Sequence, residues 1–278
     1  MVEDVAEHDP AQARVIAVVN QKGGVGKTTT ALNLAASLAV AERPTLLIDL
    51  DPQGNASGGL GVNSPHTQIY DVLAGKIAAA GALHETALSH LHLLPAGPDL
   101  AGAEIELVSV ESRETLLRDA IAPLLPHYDF ALIDCPPSLG LLTLNALVAA
   151  SSVLVPLQCE YFALEGLARL LGTIERVRAG FNPALEREGI VLTMVDRRAN
   201  LAQQVESDVR GHFGTGELGG VFSTVIPRNV RLSEAPSHGK PILLYDISSR
   251  GAIAYLQLAE ELLRRHARPG RKPPALGI

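Results

Sequence analysis

The feature that most constrains the fold of this sequence is a glycine-rich loop that ends in lysine and threonine. An apolar run, residues 15–19, leads into Asn-Gln-Lys-Gly-Gly-Val-Gly-Lys-Thr-Thr-Thr at residues 20–30, and an Ala/Leu-rich helical pattern follows. A strand, a glycine-rich loop and a helix in this order bind phosphate, because backbone N–H groups and the helix N-terminus face the anion. The predicted phosphate-binding residues are Lys22, Gly23, Gly24, Val25, Gly26, Lys27, Thr28 and Thr29.

Within this loop the two lysines have different expected roles. Lys27 is expected to reach the β- and γ-phosphates, and the Thr28 hydroxyl is expected to hold Mg²⁺. The common pattern G-x-x-x-x-G-K-[ST] fails at its first glycine, where this sequence has Gln21, and Lys22 follows as an additional lysine. We count both lysines as candidate catalytic residues.

Acidic residues follow two further apolar runs. Leu46-Leu47-Ile48-Asp49-Leu50-Asp51 ends in two aspartates, and Phe130-Ala131-Leu132-Ile133-Asp134 ends in one. Beside a polyphosphate such carboxylates suit Mg²⁺ and an attacking water, so Asp51 is our candidate for orienting that water and contacting the metal. Asp49 is expected to support the metal's water shell or the loop lysines. Asp134 fits the Walker-B role, in which an aspartate holds Mg²⁺ through water.

Strand and helix patterns alternate along most of the chain. The predicted strands are 14–20, 44–50, 91–95, 128–134, 151–157, 189–195 and 221–227. The predicted helices are 27–41, 113–125, 140–150, 165–180, 201–213 and 249–266. This alternation predicts a single-domain α/β fold, an open, mostly parallel twisted sheet with helices on both faces. Residues 1–12 are expected to be a disordered leader, residues 13–266 the P-loop ATPase domain, and residues 267–278 a basic, Pro-rich, disordered tail.

Composition excludes several classes of protein. No apolar run among the 278 residues reaches the ~18 residues that span a bilayer, and the acidic start lacks the positive charge of a signal peptide. Two cysteines in separate segments, Cys135 and Cys159, suit a reduced compartment and cannot complete a metal or Fe–S site alone. The net charge of −7 does not indicate nucleic-acid binding, yet local basic patches remain possible.

A polar and basic segment follows the last predicted strand. It reads Val-Ile-Pro-Arg-Asn-Val-Arg-Leu-Ser-Glu-Ala-Pro at residues 225–236. The amide of Asn229 offers a donor and an acceptor to a purine edge, and Pro227 can pack on a base. On these grounds alone an ordinary surface loop is the stronger interpretation.

Taken together, these motifs resemble the ParA/MinD class of P-loop ATPases, with its deviant Walker A loop, over residues 13–265. The resemblance is carried by the loop at residues 20–30, by Asp49-Leu-Asp-Pro-Gln-Gly-Asn55, by Asp134-Cys-Pro-Pro137, by Tyr161-Phe-Ala-Leu-Glu-Gly166 and by residues 226–236. It is closest to the chromosomal ParA (Soj) group. In this class the last segment lines the adenine, which places Pro227 and Asn229 at the base.

The resemblance implies a complete cycle with ATP/ADP and Mg²⁺ as cofactors. ATP binding drives formation of a sandwich homodimer in which Lys22 reaches the partner's phosphates. The dimer binds double-stranded DNA without sequence preference, and a ParB-type protein stimulates hydrolysis and release. The protein is then expected to be cytoplasmic and associated with the nucleoid, with no membrane partner. The candidate DNA-binding residues are Arg197, Arg198, Arg228 and Arg231.

Three alternatives remain open. A MinD-like membrane ATPase has the same loop and a C-terminal amphipathic helix, and the pattern of Ile253, Leu256, Leu258, Leu262 and Leu263 could form such a face or pack in the core. A small-molecule enzyme on this scaffold would need an acceptor pocket, for which no distinct set of residues is evident. A scaffold with a decayed site is disfavoured by the intact Lys27, Asp51 and Asp134.

Overall fold

The structure, a computed structural model, describes residues 13–160, 163–196, 200–213 and 219–266. Its strands are β1 (Arg14–Val18), β2 (Thr45–Asp49), β3 (His84–Glu85), β4 (Leu91–Leu94), β5 (Phe130–Asp134), β6 (Ser152–Gln158), β7 (Glu186–Val195) and β8 (Val221–Pro227). They form a sheet in the order β3-β4-β2-β5-β1-β6-β7-β8. Neighbouring strands run parallel except β3, which is antiparallel to β4.

Helices cover both faces of this sheet. They are α1 (Lys27–Val40), α2 (Asn55–Gly59), α3 (Ile69–Leu73), α4 (Leu100–Glu106), α5 (Leu116–Ile121), α6 (Leu141–Ala149), α7 (Ala163–Gly180), α8 (Asn200–Phe213), α9 (Val230–Glu234), α10 (Ile242–Tyr245) and α11 (Arg250–Arg265). Strand side chains alternate between two cores: Val15 and Ala17 pack with α3 to α8, whereas Ile16 and Val18 pack with α1 and α11. The predicted open parallel sheet with helices on both faces is confirmed.

Several stretches differ from the sequence prediction. The helix expected over 113–125 is shorter, because Ser112 has a left-handed φ of 55° that ends the preceding turn and Pro123 cannot continue the helix. The short helices α2, α3, α4, α9 and α10 and the short strand β3 were not predicted, because they carry too few residues for a clear periodicity. The predicted domain boundaries stay predictions, and residues 1–12 and 267–278 lie outside the described residues.

The carboxyl ends of the central strands bring the candidate residues together. Val18 of β1 and Asp49 of β2 are both in register with Asp134 of β5, which lies between them. The phosphate-loop sequence follows β1 directly, so the loop and the aspartates lie together at the carboxyl ends of the strands, which we call the carboxyl edge of the sheet. In a doubly wound parallel sheet this edge is where ligands bind.

The amino ends of the strands, which we call the amino edge of the sheet, hold a compact ionic cluster. Glu188 of β7 accepts hydrogen bonds from Arg14 Nε at 2.6 Å and Ser152 Oγ at 2.7 Å, and its other oxygen lies 2.6 Å from His266 Nε2. Burial opposes ionisation, but the hydrogen bond to His266 and the charge of Arg14 lower the pKa of Glu188 to about 2. The cluster joins β1, β6 and β7 to the end of α11.

Candidate nucleotide-binding site

The loop between β1 and α1 has a backbone that glycine makes possible. Gly24 and Gly26 have φ of 74° and 88°, in the left-handed region that side chains disfavour. The loop is anchored by Asn20, whose Nδ2 donates to the Pro156 carbonyl at 2.8 Å while its Oδ1 accepts from the Lys22 N–H at 2.9 Å. Sequence reasoning gave Asn20 no role, although its position directly before the loop is a usable signal.

Lys27 is the buried cation of this loop. It is 7% exposed, and its Nζ donates to the Lys22 carbonyl at 3.2 Å. Burial lowers the pKa of Lys27, while the charges of Asp134 and Asp51 oppose that shift. The ammonium group is therefore held beside two carboxylates, as expected of a lysine that would meet phosphate oxygens.

Asp134 is the most unusual group at this edge. It is fully buried, and no described residue makes a hydrogen bond of ordinary geometry to either carboxylate oxygen, although the Thr28 hydroxyl lies close enough to favour the charged form. Burial raises the pKa of Asp134 well above its usual range, and the Asp49 carboxylate adds to the effect. A buried carboxylate without partners is costly unless a cation or donor satisfies it.

Asp49 and Asp51 have separate tasks, although they are two residues apart. Asp49 accepts from the Ser57 N–H at 2.8 Å, from the Ser57 hydroxyl at 2.7 Å and from the Asp51 N–H at 3.2 Å. Asp49 thus fixes the turn that leads into α2, and its expected support of the loop lysines or of a metal's water shell stays a prediction. Burial raises the pKa of Asp49 to about 6. Asp51 is 7% exposed, and its Oδ1 accepts from the Gln53 N–H at 3.0 Å.

The residues at this edge fit a magnesium ion. Mg²⁺ prefers oxygen ligands and retains several waters, so one or two carboxylates and a hydroxyl suffice. The orphaned oxygens of Asp134 supply the carboxylate, and Thr28 in the first turn of α1 supplies the hydroxyl. No cluster of three His, Cys, Asp or Glu side chains that could bind a metal occurs among the described residues. The site therefore suits an ion held jointly with a phosphate ligand.

Lys22 pairs with an acidic residue outside the loop. Its side chain is 53% exposed and forms an ion pair with Glu160, which follows β6. A Cβ added at Gly23 or Gly24 would meet nothing within 4 Å, so this side of the loop is open. The sequence did not single out Glu160, and the neighbouring Tyr161 and Phe162 lie outside the described residues.

Strand β7 supports the loop from the other side. The Thr193 hydroxyl donates to the Val25 carbonyl at 2.8 Å, and Thr193 and Met194 contact the position of Gly26. Thr193 is 168 residues from Val25 along the chain, so no local pattern could have revealed this contact.

The segment after β8 borders a cavity of about 640 Å³. The cavity is lined by Val195, Asp196, Val225, Pro227, Arg228, Val230, Arg250, Ile253, Ala254 and Gln257. Pro227 thus lies where a base could pack. Asn229 caps α9, because its Oδ1 accepts from the Arg231 N–H at 2.8 Å. Its Nδ2 donor and one oxygen lone pair remain for a base.

The candidate DNA-binding arginines fall into three groups. Arg228 is exposed and makes no ion pair with any described residue. Arg231 is half-exposed and pairs with Glu234 at 2.9 Å and Asp246 at 3.6 Å. Arg197 and Arg198 lie outside the described residues.

Comparison with known proteins identifies the family. Residues 13–187 match a family model described as an AAA domain. The chain is 59% identical over 254 residues to the chromosome partitioning protein ParA of Myxococcus xanthus, covering 91% of this chain and 88% of that protein. The chain belongs to the ParA/Soj family of P-loop ATPases. Another family member, the sporulation initiation inhibitor protein Soj of Bacillus subtilis, is 52% identical, with 90% and 98% of the two chains covered.

Solved structures agree with this membership. A structure described as cobyrinic acid a,c-diamide synthase from Mycobacterium smegmatis, with bound ADP and magnesium, is 40% identical with a TM-score of 0.79, over 94% of this chain and 98% of that one. The cell division ATPase MinD of Pyrococcus furiosus is 28% identical with a TM-score of 0.72, over 92% and 100%. The predicted ATPase class is confirmed, as are ATP/ADP and Mg²⁺ as the cofactors of this ParA/Soj fold.

The described helices contain no segment long and apolar enough to cross a membrane. The apolar side chains of α11 are used internally: Leu258 and Leu262 are fully buried, and Leu263 is nearly so. Tyr255 of the same helix is buried against α1, with its hydroxyl 3.2 Å from Thr30 Oγ1. Core packing accounts for these three leucines, whereas Ile253 and Leu256 of the same pattern are only half-buried.

Proposed function

We propose that this chain is a DNA-partitioning ATPase whose ATP-bound homodimer holds double-stranded DNA without sequence preference and releases it after hydrolysis. The observation that carries the proposal is the contrast between two lysines of one loop. Lys27 is buried beside Asp51 and Asp134, whereas Lys22 is exposed on the open side of the loop. This contrast supports a role for Lys27 on the chain's own nucleotide and a role for Lys22 toward a second molecule.

The nucleotide and metal residues form the core of this proposal. Lys27 and the backbone N–H groups of residues 22–29 bind the phosphates, while Thr28, Asp51 and Asp134 hold Mg²⁺ directly or through water. The metal would neutralise charge that develops on the phosphate oxygens. Asp51 orients the attacking water, and the adenine is contacted by Pro227, which lines the cavity after β8, and by Asn229, two residues later.

Lys22 supplies the link between nucleotide state and dimerisation. Its ion pair with Glu160 is exposed on both sides, and such a pair contributes only about 0–1 kcal/mol. The phosphates of a second subunit would attract the ammonium more strongly, because charge-assisted contacts in a closed interface are poorly screened. ATP then acts as the ligand that exchanges an internal partner of Lys22 for an external one.

DNA contact is assigned to basic residues near the end of β8. Arg228 has no acidic partner among the described residues, so it can contact a DNA phosphate without first breaking an ion pair. Arg231 must compete with Glu234 and Asp246 and contributes less. Arg197 and Arg198 complete the predicted set. Few aromatic residues occur in the chain, which favours backbone contact over base stacking.

Family membership supports the remaining parts of the proposal. A ParB-type protein is the expected activator of hydrolysis, and the working site is the nucleoid in the cytoplasm. The relatives named chromosome partitioning protein ParA in Myxococcus xanthus and Caulobacter vibrioides cover nine-tenths of this chain, which supports the same role here.

DNA binding measured with ADP, with ATP and with a non-hydrolysable ATP analogue tests the proposal. We expect strong retention with the analogue, weaker retention with ATP because hydrolysis releases the dimer, and little with ADP. Lys22→Ala is the matched variant: it should bind ATP yet stay monomeric and fail to hold DNA. Equal DNA affinity in all three nucleotide states would overturn the proposal.

Two other functions remain as outcomes of direct tests. A MinD-like membrane role predicts ATP-dependent binding to liposomes that is lost on deletion of residues 267–278, and the buried face of α11 argues against it. A small-molecule synthase is favoured by the 40% identity to the diamide synthase structure. That activity would leave ATP turnover unchanged when DNA and a ParB-type peptide are added together, whereas the partitioning role predicts stimulation.

A further inference from the structure

Thr193 connects strand β7 to the phosphate loop, although β6 lies between β7 and β1 in the sheet. Thr193 is 2% exposed, and its hydroxyl donates to the Val25 carbonyl at 2.8 Å. The contact therefore reaches across one whole strand. It is a buried hydrogen bond to the backbone of the loop itself, in a chain position that no phosphate-binding motif includes.

The end of β7 has an irregular backbone at this point. Met194 has a left-handed φ of 52°, and the pairing of β7 with β8 shifts register between Leu192 and Val195. In a regular strand, successive side chains point to opposite faces. Here Thr193 and Met194 both lie against the loop. Thr193 Cβ is 3.9 Å, and Met194 Cε 3.8 Å, from the position that a Cβ on Gly26 would occupy. The irregular backbone is what allows both contacts.

We propose that Thr193 is a positioning residue that orients the Val25–Gly26 peptide of the phosphate loop. The described chain has no cis peptide bond, and in a trans peptide the carbonyl and the following N–H point in opposite directions. Because the Val25 carbonyl is held by Thr193 on the β7 side, the Gly26 N–H is turned away from β7. This inference rests on the proposed nucleotide site, where that N–H would meet a phosphate oxygen.

The same segment also borders the other half of the site. Val195 and Asp196 directly follow Thr193 and Met194, and they line the cavity assigned to the base. The Val195 carbonyl accepts from the Arg228 N–H at 3.3 Å, which joins this segment to the residues after Pro227. Residues 193–196 thus connect the phosphate half of the site to the base half, and Thr193 is their contact with the loop.

The test compares Thr193→Val, which removes the hydroxyl at similar shape, with Thr193→Ser, which keeps it. Affinities for ATP and ADP are measured by calorimetric titration, together with kcat and KM of ATP turnover. We expect Thr193→Val to weaken nucleotide binding and raise KM about five- to tenfold, with kcat within about twofold. Thr193→Ser should stay within about twofold of the unmodified protein, because its hydroxyl restores the bond. Normal affinity in Thr193→Val, or equal losses in both variants, would overturn the inference.

A graded series keeps the test valid if Thr193→Val does not fold. Thr193→Cys has a weaker donor, and its affinity should fall below those of the unmodified protein and of Thr193→Ser. Lack of that order would contradict the role of the hydroxyl. Lys27→Ala separates the two hypotheses: unchanged ATP binding in Lys27→Ala would reject the nucleotide site, whereas loss there with normal binding in Thr193→Val would reject Thr193 alone.

Discussion

The two edges of the sheet treat buried charge in opposite ways. At the amino edge Glu188 is 3% exposed and is satisfied by Arg14, Ser152 and His266. At the carboxyl edge Asp134 is fully buried, and among the described residues only the Thr28 hydroxyl lies near its oxygens, without a hydrogen bond of ordinary geometry. A satisfied buried charge fixes the fold, whereas an unsatisfied one is retained at a cost to stability. The difference indicates that the carboxyl edge is arranged for a ligand and the amino edge for stability.

The largest expected effect is at the buried lysine of the carboxyl edge. Lys27→Ala should reduce ATP affinity by about a thousandfold, because it removes a desolvated charge that contacts phosphate. Lys22→Ala is the matched control within the same loop and should bind ATP nearly normally. Titration with a fluorescent ATP analogue measures both. Unchanged affinity in Lys27→Ala would remove the loop from the nucleotide site.

Acid stability tests the amino edge. The pKa of Glu188 is about 2 against an ordinary 4.5, so ionised Glu188 contributes about 3 kcal/mol to folding. A lowered folded-state pKa means that this contribution is complete above the ordinary pKa and is lost as the pH falls toward 2. Urea unfolding from pH 7 to 2 should show Glu188→Gln about 3 kcal/mol less stable at neutral pH, with the difference vanishing near pH 2. A difference that does not change with pH would refute the ionic role.

Asp51 should affect turnover rather than stability. Asp51→Ala and Asp51→Asn are both expected to slow ATP hydrolysis about a hundredfold, because neither can orient the water as a carboxylate does. The asparagine variant keeps an acceptor for the Gln53 N–H, so it controls for loss of the loop hydrogen bond. Both variants should accumulate as ATP-bound dimers on DNA, detected by retention after a salt wash. Normal phosphate release in Asp51→Asn would exclude Asp51 from this role.

The smallest effects are expected at the exposed arginines. Arg228→Ala should lower DNA affinity of the ATP state about fivefold and reduce the log–log salt slope by about two, one unit for each subunit of the dimer. Arg231→Ala should have a smaller effect, since Glu234 and Asp246 already neutralise that charge. Lys76→Ala, a change to an exposed lysine beside α3, serves as the control. Equal effects from all three substitutions would mean that the contact is not localised near β8.

Much of the fold follows from local patterns in the sequence. The apolar runs at β1, β2 and β5 and the loop before α1 are continuous in sequence, so their order and the edge at which they meet are predictable. The short elements α2, α3, β3 and α4 are not, because two to seven residues carry little periodicity. The extent of the helix at α5 was also mispredicted, since the left-handed Ser112 leaves no pattern of its own.

In the candidate site, too, residues in local motifs could be predicted, whereas contacts between distant segments could not. Lys27, Thr28 and Asp134 lie in motifs that strand and loop context supports, so the sequence alone could nominate them. Contacts made by distant segments could not be predicted: Glu160 pairs with Lys22, and Thr193 holds Val25. Asp49 shows a further limit, because spacing suggested a role near the metal but could not reveal that its side chain accepts hydrogen bonds from Ser57, eight residues later.

Stability and turnover measured on one variant, Asp134→Asn, test the contrast between the two edges most directly. The asparagine amide is uncharged and similar in shape to the carboxylate. The substitution therefore removes the free-energy cost of burying that carboxylate, and it also removes the ligand for Mg²⁺. Urea unfolding without nucleotide should show this variant at least as stable as the unmodified protein, by up to about 1 kcal/mol. Its Mg²⁺-dependent ATP turnover should fall at least about a hundredfold. A destabilised variant that keeps Mg²⁺-dependent turnover would contradict the assignment of the carboxyl edge to the ligand.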